Sequence, residues 1–196
     1  MSDRESEVVM SSTHRVPPAV ERGDKVAIVA PASGLAAEFP HVYELGLDRL
    51  RDVFDLEPVE FPTAQKSDEY LQDHPEERAD DVMTAFRDPE ISAVIATIGG
   101  FDQIRVLEHL DPEVLRENPT RFFGSSDNAN LAGYLWNNGI VSYYGGNLLT
   151  EFAMQESMHE YTVEYLERAL FEESLGELRP AEEFSDHDLD WADPDN

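Results

Sequence analysis

The chain contains no cysteine, which excludes a disulfide framework, a thiolate metal site and a thiol nucleophile. Lysine is nearly missing, with Lys25 and Lys66 the only two in 196 residues. Together with arginine they make 14 cations against 42 carboxylates, a formal net charge of −28. A surface of that sign repels phosphate backbones and anionic lipid, so neither nucleic acid nor a membrane is expected as a partner. Long apolar runs are missing too. Met1 to Val20 is polar and mixed in charge, and no later run has the length needed to span a bilayer. A cytoplasmic protein is expected. The acidity reads as solvation in a salt-rich cytoplasm, where screening relieves self-repulsion. The melting temperature should therefore rise between dilute buffer and molar salt; an unchanged value would remove that explanation.

Several motifs are absent as well. There is no H-E-x-x-H, no closely spaced histidine pair and no calcium loop, so no metal is expected. Pro31-Ala32-Ser33-Gly34 follows the first strand without G-x-G-x-x-G, which argues against a dinucleotide. No organic cofactor is expected either. The six histidines are His14, His41, His74, His109, His159 and His187. Two lie near the chain ends, three sit on helices beside acidic residues, and His74 precedes a helix start. A solvated role suits each better than that of a catalytic base.

What is present is a globular pattern. Asp24 to Ala30 and Ile91 to Ile98 are apolar runs of the kind buried on both faces of a parallel sheet. Leu56 to Phe61, Arg121 to Gly124 and Ile140 to Tyr144 add three strands. Helices are predicted over Phe39 to Phe54, Pro75 to Arg87, Gln103 to Leu110, Pro112 to Glu117, Asp127 to Trp136 and Ser157 to Phe171, with Thr63 to Asp73 a polar surface loop. The alternation predicts an α/β fold, a doubly wound, mainly parallel open sheet of about five strands with helices on both faces. Residues 1–22 read as a flexible arm, 23–171 as the α/β domain and 172–196 as an acidic linker or tail. That tail carries Asp186, Asp188, Asp190, Asp193 and Asp195 among few apolar residues.

The chain is organised around Arg121-Phe122-Phe123-Gly124-Ser125-Ser126-Asp127-Asn128, a buried strand running through small residues into a helix. A serine at such a turn lifts its hydroxyl clear of the sheet, beside free N–H groups that can hold a developing negative charge. Ser126 is the candidate nucleophile; Ser125, Ser126 and Asp127 acting only as helix caps is the alternative. In doubly wound sheets ligands bind beyond the carboxyl ends of the strands, where Pro31 to Gly34, Gly99-Gly100, Ser125 to Asp127 and Gly145-Gly146 all fall. Ser33, Gly99 and Ser125 are pocket candidates on that ground. The N–H groups of the glycine pair could join that of Asp127 as an oxyanion hole, or the pair could simply serve a tight turn.

Ala96-Thr97-Ile98-Gly99-Gly100, Leu110-Asp111, Asn118-Pro119, Phe123-Gly124-Ser125-Ser126-Asp127 and Tyr144-Gly145 resemble, in order and spacing, the N-terminal half of the LD-carboxypeptidase and microcin C immunity protein family of serine peptidases. The Thr-Ile-Gly-Gly form is closest to the microcin immunity branch, and the similarity runs from about Gly23 to Trp191. It implies that Ser126, the serine before an aspartate, is the nucleophile and that backbone N–H groups of Asp127 and Gly100 form the oxyanion hole. The implied substrates are small peptides with an L,D bond or aminoacyl nucleotide analogues, cleaved without metal or cofactor. Two departures stand out: Ser125 where the family has an aromatic residue, and Gly146 where it has proline. Family members continue into a second domain that supplies a glutamate and a histidine, and no residue here takes those roles. The chain by itself is therefore expected to be inactive or nearly so, with a homodimer and a separate C-terminal half as the expected partners. The alternative is a noncatalytic ligand-binding or dimerisation module derived from the same family.

Overall fold

The computed structural model describes residues 14–182, 184 and 190–193. The readings made for Asp186, Asp188, Asp195 and His187 lie outside the described residues. Five strands form one sheet in the order β2-β1-β3-β4-β5, all neighbours parallel. They are β1 (Lys25–Val29), β2 (Glu57–Glu60), β3 (Ile91–Ala96), β4 (Arg121–Gly124) and β5 (Tyr143–Tyr144).

Alternate residues of the central strands face opposite sides. Val26, Ile28, Ala93, Ile95 and Phe123 pack with Val42, Tyr43, Leu47 and Leu50 of helix α2 (Pro40–Asp52) and with Leu166 and Leu170 of α7 (Glu160–Phe171). Ala27, Val29, Val94, Ala96 and Phe122 pack on the other side with α4 (Pro75–Arg87), α5 (Pro112–Glu117) and α6 (Ala129–Asn137). Burying both faces explains the near-continuous apolar character of β1 and β3. The chain is thus the doubly wound α/β fold read from its pattern. Each buried Leu, Val or Phe contributes about 1.5–3 kcal/mol, and the short polar β2 at one edge, Glu-Pro-Val-Glu, is poorly suited to pairing with another chain.

Some elements depart from expectation. Within the predicted loop over Thr63 to Asp73 lies a helix, α3 (Asp68–Asp73), because Ser67 caps it by accepting from Tyr70 N–H while Asp68 and Glu69 sit at its positive end. Thr63 donates its N–H and hydroxyl to the same oxygen of the buried Asp81, whose carboxyl is pushed above its usual range by desolvation despite those bonds. The last strand is shorter than Ile140 to Tyr144, since Ile140 bridges Arg15 instead, with Val141 N–H donating to Arg15 O at 2.9 Å. The segment from Arg15 to Arg22 is accordingly packed on the domain: Val20 is 2% exposed and its N–H donates to Leu170 O. The helix predicted from Asp127 begins as a single 3-10 turn, Ser126–Asn128, before α6, and the one predicted from Ser157 begins at Glu160. A four-residue helix, α1 (Leu35–Glu38), and a π-helical turn, Leu148–Phe152, had no sequence expectation.

Strand order reverses between β1 and β3, each of which has its other neighbour on the opposite side. That switch point, beyond the carboxyl ends of the strands, is where this class of sheet opens a crevice.

Candidate active site

The loops after β1, β3 and β4 meet at the switch point around a crevice of about 370 Å³, a size that suits a small ligand. Ser33, Gly99, Gly100, Ser125 and Ser126 line it together with Leu35, Glu38, Asp68, Ile98, Phe101, Asn147 and Thr150. Five of the six positions singled out from sequence are therefore brought to one cavity. Asp127, the sixth, sits half-buried beside it at the head of the turn.

Ser126 is exposed and holds φ at +59°. A left-handed backbone costs a non-glycine residue about 1–2 kcal/mol, and it recurs at Asp55 and Glu156, so the angle alone does not mark a site. Its setting does. The strained residue opens the turn two positions after a buried strand, Gly99 lies against its side chain, and it lines the crevice. A Cβ added to Gly99 would lie 2.7 Å from Ser126 Cβ and 3.0 Å from its Oγ. Only glycine lets the β3 loop approach this closely. Asp127 N–H heads the 3-10 turn and has no earlier turn carbonyl to bond, while Ser126 N–H donates to Tyr144 Oη at 3.1 Å.

The turn is held from several sides. Asn147 Oδ1 accepts from Ser125 N–H at 3.0 Å and Asn147 Nδ2 donates to Ser125 Oγ at 2.6 Å. Asn147 N–H in turn donates to Glu151 of the π-helical turn, which also accepts from the Thr150 hydroxyl. The hydroxyl of Ser125 is thus engaged with Asn147. Gln103, fully buried, ties the glycine loop to the serine turn through its N–H to Asp127 Oδ2 (2.8 Å), its amide to Asn128 Oδ1 (2.5 Å) and its carbonyl from Leu131 N–H (2.9 Å). The carboxylate of Asp127 therefore positions the loop that bears Gly100. Ser33 donates its hydroxyl to Gly99 O at 2.8 Å, closing the third side.

A family model described as the LD-carboxypeptidase N-terminal domain matches residues 26–145. The chain belongs to this family. Among LD-carboxypeptidase relatives, the Bacillus subtilis protein YocD, whose name places it provisionally with carboxypeptidases, is 30% identical over 85% of this chain and 51% of its own length. The microcin C7 self-immunity protein MccF of Escherichia coli is 29% identical over 64% of this chain and 38% of its own length. A solved MccF-like protein of Streptococcus pneumoniae, in complex with AMP, superposes with a TM-score of 0.70 at 30% identity, covering 76% of this chain and 45% of that one. The chain spans about half the length of the curated relatives it matches.

The resemblance read from the sequence thus holds. The LD-carboxypeptidase domain described here has no histidine among the residues lining its crevice; Glu38 and Asp68 are the titratable groups that do. His14 stacks on Trp136, His74 on Tyr70, and His109 lies near Glu108. His41, expected at the surface, is half-buried with Nε2 enclosed and unbonded. Among the described residues no group of three or more His, Asp or Glu could hold a metal ion, and no helix is long and apolar enough to cross a membrane.

Sequence reasoning missed Asn147, Gln103, Asn128 and Tyr144. Asn128 lies in the stretch the chain is organised around, and Asn147 and Tyr144 flank Gly145-Gly146 at a strand end already assigned to the site; Gln103 left no signal.

Proposed function

We propose that this chain is the nucleophile-bearing part of a serine amidase of LD-carboxypeptidase or microcin-immunity type, acting on a small peptide or an aminoacyl-nucleotide-like substrate. The observation that carries it is Ser126, held in a left-handed conformation at the head of a helical turn and lining a crevice, with a glycine loop against its Cβ. Ser126 Oγ attacks the carbonyl carbon of an amide next to a carboxylate-bearing residue. The N–H groups of Asp127 and Gly100 receive the negative charge that forms on the carbonyl oxygen. The amine leaves with a proton, and water then hydrolyses the acyl ester. Leu35, Ile98 and Phe101 give the crevice an apolar wall for the rest of the substrate. The AMP bound by the pneumococcal relative favours a nucleotide-bearing ligand over a plain peptide.

No histidine lines the crevice, and we assign the acceptor of the Ser126 proton to a segment beyond this chain, of the kind that a relative matched over 51% of its own length has room for. An oxyanion hole and binding alone still supply about 10³–10⁴-fold over water when a triad member is missing. The purified chain should therefore react slowly with a fluorophosphonate, giving one adduct by intact mass on Ser126, and Ser126→Ala should remain unlabelled. Amide hydrolysis should not exceed that of Ser126→Ala. Equal labelling of both proteins, or none of either, would replace this proposal with the noncatalytic binding module.

A further inference from the structure

Arg78, on α4, is fully buried, yet it lies in neither the crevice nor the serine turn. Its Nη1 donates to Ala32 O at 3.0 Å, to Pro31 O at 3.4 Å and to Asp102 Oδ1 at 2.9 Å, while Nη2 donates to Asp102 Oδ2 at 3.3 Å. One guanidinium thus holds two loops: Pro31 to Gly34 after β1, and Gly99 to Asp102 after β3. These two walls of the crevice are in direct contact. A Cβ on Gly100 would lie 3.2 Å from the Ala32 carbonyl carbon and from Ser33 Cβ.

Stability is a weak reason for such a pair. Burying the Arg78 charge against a half-buried Asp102, which also pairs with Arg105 at 3.4 Å, has a desolvation cost that the attraction only offsets when the geometry is good, and apolar replacements are often as stable. A planar fork that reaches two loops at once, on the other hand, supplies geometry that packed aliphatic groups do not. We propose that Arg78, paired with Asp102, is a positioning residue that sets where the Gly100 N–H points relative to Ser126 Oγ. The claim that this position serves catalysis rests on the serine amidase reading above; the claim about position does not. An oxyanion donor displaced by a fraction of an ångström loses most of its value, and the loss of one such donor lowers rates about 10²–10³-fold.

The test compares the purified chain with Arg78→Lys and Asp102→Asn. Lysine keeps the charge but offers one ammonium in place of the fork. Asparagine keeps the shape of Asp102 and one acceptor, so it remains informative if the lysine variant folds poorly. Leu115→Ala, in the core under α5 and away from the crevice, controls for lost stability alone. Two quantities are read: the rate of fluorophosphonate labelling of Ser126, and the amide ¹H–¹⁵N signals of Gly99 and Gly100. Expected are labelling at least tenfold slower in both loop variants with the two glycine signals displaced, and labelling within twofold of the parent in Leu115→Ala. Parent-like labelling in a folded Arg78→Lys or Asp102→Asn, or equal slowing in Leu115→Ala, would overturn the positioning role. If the parent itself is not labelled, the amidase reading fails, and the glycine signals decide the positional claim: displaced supports it, unmoved overturns it.

Discussion

Replacing Gly99 with alanine is expected to slow acylation of Ser126 about 100-fold while leaving the domain folded. The new methyl would fall 2.7 Å from Ser126 Cβ, 3.0 Å from Oγ and 3.1 Å from Ser125 O. Oγ can rotate away, but Ser126 Cβ and Ser125 O are fixed by the backbone of the turn. The serine turn is held by Asn147 and by Gln103 through Asp127 and Asn128, and Gly99 O is bonded to Ser33. Relief must come from sliding the β3 loop away from the turn, which separates Gly100 N–H from Ser126. Misplacement by about 1 Å at a reacting centre lowers rates about 10²-fold. The strands beneath are not involved, so a large loss of stability is not expected. Gly133→Ala is the control, because a Cβ there meets nothing within 4 Å and lies on the exposed face of α6. Labelling by a fluorophosphonate at parent rate in Gly99→Ala would show that the contact does not bear on the serine.

The largest effect on stability is expected at Arg121, where substitution by methionine should lower the free energy of unfolding by about 3 kcal/mol. This arginine at the start of β4 is fully buried, and no carboxylate bonds to it among the described residues. It donates instead to carbonyls: Nε to Pro18 O at 2.7 Å, Nη1 to Ala169 O and to Leu170 O at 3.1 Å, and Nη2 to Glu172 O at 2.7 Å. It also lies over the Tyr143 ring at 5.2 Å. Three of the four acceptors lie at the carboxyl end of α7, where carbonyls have no intrahelical donor and a cation is favoured. Desolvation lowers its pKa, but an arginine starts from so high a value that it stays charged. Methionine would remove that desolvation cost and fill much of the space. It would also leave the carbonyl of the buried Ala169 unpaired, at about 1–3 kcal/mol, and remove a donor from Pro18 O, Glu172 O and Leu170 O, the last of which keeps Val20 N–H. The second effect wins because four carbonyls lose a donor for one charge removed. Urea unfolding should show a lower midpoint with an unchanged slope, and the segment from Arg15 to Arg22 should become more open to proteolysis. A midpoint within error of the parent would mean that water or repacking satisfies those carbonyls.

The sheet and most helices were legible because their signals are local. Apolar runs at β1 and β3, proline at the first position of α4, and Asp88-Pro89 after it each act within one or two turns of chain. Helix α3 was missed because its cap chemistry, Ser67-Asp68-Glu69, lies in a stretch whose polarity resembles a loop; only Leu71 is buried on it. The π-helical turn at Leu148–Phe152 was missed because its buried Leu148, Leu149 and Phe152 form no strand or helix period.

By itself the sequence determined the layered α/β fold of the domain, the family, and Ser126 as the residue to examine. Each depends on composition or on neighbours a few residues apart, which a one-dimensional pattern records. The tertiary structure alone decided which residues hold Ser126 in place. Asn147 reaches Ser125 across 22 positions, Gln103 reaches Asp127 across 24, and Arg78 reaches Asp102 across 24. None of these pairs has a sequence period to announce it, because buried polar groups must find partners wherever folding brings a donor to an acceptor, whatever their separation along the chain.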